Sequence, residues 1–179
     1  MLAEAGHAAG HDLVSVDATG FEAAADWADL RSAENYLGYA RTDSFASADG
    51  LAVSGNAHVY AFPAQLELNF WALSGDWTQG SEAVRLNAAN GRIAYRFRAR
   101  DLNLVMAPPA PGHPVRFRVL IDGKPPGQAH GLDVDNQGNG TVSEPRTYQL
   151  IRQARPIVDR QFEIEFLDPG VDALDFTFG

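Results

Sequence analysis

The clearest pattern in the chain runs from Gly91 to Gly123, where apolar and charged residues alternate. Ile93, Tyr95 and Phe97 alternate with Arg92, Arg96 and Arg98, and Val115, Phe117, Val119 and Ile121 alternate with Arg116 and Arg118. A period of two sends one residue class to each face of a strand, so these segments are half-buried strands with arginine outward. Leu102, Leu104 and Met106 predict a short strand between them, closed by the proline-rich turn from Pro108 to Pro114. The same reading predicts further strands at roughly 57–62, 67–78, 82–88, 141–143, 146–153, 161–167 and 172–178. Turn signals such as Asp49-Gly50, Asn90-Gly91, Asp122-Gly123 and Pro169-Gly170 separate them. Many short strands without a helix-length amphipathic run predict an all-β fold, a jelly-roll-like antiparallel β-sandwich over residues 36–179.

Charge adds an expectation about strand order. Arginines opposed across neighbouring strands would repel. In the segment Gln161 to Leu167, Phe162, Ile164 and Phe166 face inward while Glu163 and Glu165 face outward. These glutamates are expected beside the arginines, on one interleaved charged face.

Residues 1–35 differ in character. They are rich in alanine and read as a short N-terminal connector. A last helical turn is expected at Leu2 to Ala5, stopped at Gly6. Leu13, Val14 and Val16 suggest a brief strand. Thr19-x-x-Glu22 has capping-box spacing ahead of a short helix over Phe21 to Trp27. Phe21, Trp27 and Leu30 are the expected anchors.

Composition narrows the function classes. The net charge of −9 over 179 residues argues against nucleic acid or an anionic membrane as partner. No apolar run approaches the ~18–20 residues of a membrane span. The opening MLAEAGHAAGHDL has neither the basic n-region nor the apolar h-region of a signal peptide. The absence of cysteine removes disulfides, thiolate metal sites and any CxxC redox role from these residues.

Candidate chemistry is sparse. The stretch Asp133 to Glu144 nearly fits a calcium loop, with Asp133, Asp135, Gly138 and Glu144 in register, but Gln137 breaks the third ligand position. Aspartate, asparagine and glycine are also what a tight hairpin turn requires, and that plainer reading is preferred. Calcium is the only cofactor these residues suggest. Trp71, Trp77, Tyr95, Tyr148, Tyr36 and Tyr39 could supply flat surfaces for the apolar face of a sugar ring, and Trp71, Trp77 and Tyr148 are the main candidates. Trp71, Leu73 and Trp77 nevertheless share one strand parity, as core residues do. His130, beside Gly131 and three residues before Asp133, is the histidine best placed to touch a ligand. No nucleophile elbow, P-loop or dinucleotide fingerprint occurs, so no catalytic residue is expected.

Ser32-Ala-Glu-Asn-Tyr-Leu-Gly-Tyr-Ala-Arg41 resembles a stretch in the C-terminal domain of DipZ-type proteins, bacterial relatives of the cytochrome c biogenesis and thiol–disulfide interchange machinery. Leu68 to Trp77, Gly91 to Asp101, Asp122 to Gly127, Tyr148 to Arg152, Glu163 to Gly170 and Phe176 to Gly179 are similar as well. The resemblance covers about 32–179. It implies a β-sandwich like a carbohydrate-binding module, a preceding thioredoxin-like domain whose last helix ends near Gly6, and an extracytoplasmic location. It implies no site residues. The expected function is a non-catalytic binding or recognition module that holds a glycan or client protein near a thioredoxin-like domain. A structural or dimerisation domain, with an exposed apolar face, is the second reading. A glycan-active hydrolase, with carboxylates converging in a cleft, is the third.

Overall fold

The structure is a computed structural model that describes residues 23–51 and 55–179. The helix turn expected at Leu2 to Ala5, the brief strand near Val14, the cap at Thr19 to Glu22 and the anchor Phe21 lie outside the described residues. The described part of the expected helix, 23–27, is not helical, and a single turn follows at 26–30, closed by Leu30 N–H donating to the Asp26 carbonyl at 2.9 Å.

Eleven strands form an antiparallel β-sandwich: β1 (Asn35–Tyr36), β2 (Ala57–Tyr60), β3 (Trp71–Gln79), β4 (Val84–Leu86), β5 (Gly91–Phe97), β6 (Asp101–Ala107), β7 (Val115–Ile121), β8 (Asn139–Val142), β9 (Arg146–Arg152), β10 (Arg160–Phe166) and β11 (Asp172–Phe178). One sheet runs β8-β7-β10-β5-β3 and the other runs β3-β4-β11-β6-β9, with β2 on β3 and β1 on β11. Strand β3 belongs to both. Trp71 to Ser74 pair with β5, while Gly75 to Gln79 pair with β2 and β4. The strand changes sheet at Gly75, whose φ of 100° suits glycine and where a Cβ would come within 2.9 Å of the Gly91 Cα.

Alternation explains the core. Val115, Phe117 and Val119 of β7 are buried while Arg116 and Arg118 are exposed, and Phe162, Ile164 and Phe166 of β10 are likewise buried. Aromatic rings join the two sheets: Tyr95 lies 4.9 Å from Phe176, and Phe117 meets Tyr148 edge-on at 6.4 Å. A smaller cluster of Leu66, Ala72 and Ala94 sits under Phe62 and Phe70.

The charge-based strand order is found. Strand β10 lies between β5 and β7, with Glu165 opposite both Arg92 and Arg118. Arg118 bonds Glu165 at 3.1 Å and Arg92 bonds Glu163 at 2.9 Å. Arg116 differs, pairing with Asp168 beyond the strand end at 2.8 Å. These exposed pairs favour this neighbour arrangement over one with β5 against β7, at under about 1 kcal/mol each.

Residues 23–35 pack on the sandwich. Arg31 N–H donates to the Arg98 carbonyl at 2.9 Å, and Arg155 bonds Asp29 at 3.0 Å. The pairing of β1 with Phe176 and Asp175 had no counterpart in the sequence pattern, because two residues are too short to show a period. Among the described residues, no helix is long and apolar enough to cross a membrane.

Candidate functional site

Strand β9 would have a free edge, and the loop Ala129 to Val134 covers it. Gly131 N–H donates to Leu150 at 2.9 Å, Asp133 N–H to Gln149 at 3.1 Å, and the Asp133 carboxylate accepts from Gln149 N–H at 2.7 Å. His130 adds a bridge to Ile151. Such a strap satisfies backbone groups that would otherwise invite another chain.

The strap forms one wall of a cleft of about 250 Å³. Ala23 and Ala25 form another wall, and the floor is the outward face of β6, β9 and β11. Asn103, Gln149 and Thr177 reach into it from three adjacent strands. Asn103 is buried although it faces outward, and its amide donates to the Thr177 hydroxyl at 3.3 Å. His130 Nδ1 lies 2.9 Å from the Gly131 carbonyl and 3.0 Å from that of Val134. Two carbonyl partners assign the proton to Nδ1, which leaves Nε2 as an acceptor in the neutral ring. The charged residues nearby are already matched: Asp101 bonds Arg100 at 2.6 Å and Arg152 at 3.4 Å. What remains is a set of neutral amide, hydroxyl and imidazole groups beside apolar Ile151, Leu132 and Phe178. This combination suits an uncharged, hydroxyl-bearing ligand.

Of the residues singled out from sequence, His130 alone lines this cleft. Trp71 and Trp77 are completely buried, and each indole N–H is satisfied by a carbonyl, at Asp43 (3.0 Å) and Ser74 (2.9 Å) respectively. Neither offers a face to a ligand, so the parity they share is that of the core. Tyr148 is buried too. Arg146 sits 3.8 Å above its ring, and its hydroxyl accepts from the Ser143 and Glu144 N–H groups while donating to the Glu144 carbonyl. It ties down a turn.

The near-calcium loop is that turn's neighbour. Asp135 accepts from the N–H groups of Gln137 and Asn139, both at 2.9 Å, and these bonds hold its carboxyl below the ordinary aspartate range. Asp133 is taken by Arg146 at 2.7 Å and by the strap, and Glu144 lies 3.5 Å from Arg146. Asp133 and Glu144 share Arg146 while Asp135 is bonded within its own turn, so the three carboxylates are engaged by protein groups and do not converge on a common centre. Among the described residues, no group of three histidine, aspartate or glutamate side chains is arranged to hold a metal ion.

Asn103, Gln149 and Thr177 escaped the sequence reading because outward parity does not reveal a covered face. Asparagine within a strand is unfavourable, and that was the one signal at Asn103.

One acid elsewhere is strongly displaced. Burial, together with a hydrogen bond and repulsion from Glu34, pushes Asp175 up to about 6 from 3.8, against the opposing pull of Arg41. Carboxyls in mutual hydrogen-bond contact leave no room between them for a scissile glycosidic bond. Because the folded state holds this proton more tightly than the unfolded chain, the contribution of Asp175 to stability should be full below about pH 4 and be lost as the pH rises through about 6. Asp175→Asn should therefore match the parent at pH 4 and exceed it at pH 8, by on the order of 1 kcal/mol after allowing for exposure. Thermal melts across pH 4–8 check this; parallel curves for the two proteins would show that the acid is not displaced.

A family model described as Thioredoxin like C-terminal domain matches residues 32–179. The chain belongs to that family. The match begins at Ser32, so this thioredoxin-like C-terminal domain includes β1 and every later strand. Comparison with curated proteins gives no match.

Proposed function

We propose that the chain is a non-catalytic recognition module accessory to a thioredoxin-like domain, and that it binds a saccharide in the cleft beneath His130. The family match supports the accessory role. The chain has no cysteine, so thiol–disulfide chemistry would fall to the partner domain. In this reading the parent is a DipZ-type interchange protein of the bacterial cell envelope, and the module holds glycan or glycosylated client near the redox site. The carrying observation is the cleft itself: Asn103, Gln149, Thr177 and His130 present neutral donors and acceptors, while the nearby charges are matched to one another.

The test is a glycan screen followed by titration of the best binder. Gln149→Ala and His130→Ala should each weaken binding about tenfold, as expected for losing one or two hydrogen bonds to a bound sugar. Their melting temperatures should stay near that of the parent. A screen without a hit, or binding indifferent to both substitutions, would reject the saccharide reading and favour recognition of protein.

A further inference from the structure

The cleft beneath His130 is small. Its volume of about 250 Å³ is below the roughly 300–1,000 Å³ of pockets that enclose a drug-sized ligand, so it takes one sugar ring and leaves further units outside. The walls decide where those units go. One wall is the strap, and another is Ala23 and Ala25 of the connector. Phe178 also lines a neighbouring hollow of about 510 Å³, where it meets Trp27, Leu30 and Ser32.

Trp27 is out of character for a tryptophan. These side chains are highly buried on average, and Trp71 and Trp77 follow that habit, each with its indole N–H on a carbonyl. Trp27, expected from sequence to anchor the connector, is instead 77% exposed, more than any other large apolar side chain among the described residues. Its indole N–H has no acceptor, and its ring no aromatic partner, among those residues.

Other groups do the anchoring. The Asp29 and Leu30 N–H groups donate to the Asp26 carbonyl at 3.1 and 2.9 Å. Arg155 holds the Asp26 and Asp29 carboxylates at 2.6 and 3.0 Å, and Arg100 donates to the Ala24 carbonyl at 2.8 Å. The backbone under the indole is thus ordered before any ligand arrives, which removes one cost of binding there.

The hollow is continuous with the cleft in chain and in space. Trp27 N–H donates to the carbonyl of Ala25, a cleft wall, at 3.0 Å, and Phe178 belongs to both surfaces. Arg31 and Glu34 add one charge of each sign to the hollow, so an ionic ligand is not favoured there. A pyranose with equatorial substituents presents flat C–H faces, and an indole covers such a face without charge. In a β1,4-linked chain of such rings, later units lead away from the first, out of a cleft that holds only one.

We propose that the connector supplies a second subsite: a neutral β1,4-linked oligosaccharide with one unit beneath His130 passes over Phe178 and stacks a later unit on Trp27. This rests on the saccharide reading of the cleft and adds to it a preference for chains over single sugars.

Titration with glucose, cellobiose, cellotriose and cellotetraose tests this. Affinity should rise at least about tenfold from glucose to the longer members, as expected when an aromatic face is covered. Trp27→Ala should abolish that rise while leaving glucose binding and the melting temperature unchanged. Trp27→Phe, which keeps a flat ring, should retain most of it. Gln149→Ala should weaken every member by one common factor, because its side chain serves the unit in the cleft. Trp71 and Trp77 are buried, so protection of indole fluorescence from acrylamide reports Trp27, and cellotetraose should give it while glucose does not. Equal affinity along the series, or a rise that survives Trp27→Ala, would overturn the second subsite and leave the saccharide reading standing. Failure of the whole series while another glycan of the screen binds would do the same. Failure of every glycan would overturn both.

Discussion

Trp77→Ala should lower the unfolding free energy by about 3–5 kcal/mol, the range for removing a large buried aromatic side chain. Trp77 is fully buried in β3, pairs across the ladder with Leu86, and meets Phe166 of the opposite sheet edge-on at 6.0 Å. Its position also serves the sheet switch, because the indole lies against Gly91, and Gly91 packs beneath Gly75 where β3 changes sheet. Alanine would leave a void between two sheets that cannot close without moving that corner. Urea denaturation with an unchanged slope would read the loss directly. A loss under about 1 kcal/mol would mean that the indole is not structural. Substituting Trp77 is therefore a poor probe of ligand binding, since any loss would report unfolding.

Gly131→Ala should be nearly as damaging, by about 2–4 kcal/mol, by a different route. A Cβ at residue 131 would collide with the Gln149 carbonyl and the Leu150 backbone. Backbone cannot swing aside as a side-chain tip can. The strap would have to lift, giving up the Gly131–Leu150 bond and the two bonds between Asp133 and Gln149. Two consequences should appear together: faster hydrogen exchange at Gln149, and loss of the His130 wall of the first cleft. Raised aggregation is expected as well, because the β9 edge would be uncovered. If exchange at Gln149 stays slow and stability is kept, the strap does not guard that edge. His130→Ala, which leaves the backbone strap intact, provides the comparison.

Much of the fold was legible before any coordinates. The alternation from Arg92 to Arg98 is observed as the strand Gly91–Phe97, and the expected strand at 172–178 as Asp172–Phe178, because a half-buried strand must write its two faces into the sequence. Glu163 and Glu165 revealed which strand separates the arginine-bearing ones, since like charges cannot face each other cheaply. The site was far less legible. Sequence drew attention to tryptophans, which the fold uses as core, and to an acidic loop, which the fold uses as a turn. It passed over Asn103, Gln149 and Thr177, whose significance lies in what surrounds them.

Local pattern alone thus determined the all-β class, the position of most strands and the inward set of apolar residues, because these depend on a two-residue period and on short turns. The likeness to a C-terminal domain of thioredoxin-like proteins was also recognisable from sequence. The tertiary structure decided which outward faces are covered and which polar side chains the covering loop brings into one cleft. Those properties are set by pairings between residues far apart in the chain, such as Asn35 with Tyr95 or Gln149 with Asp133, and no local period encodes them.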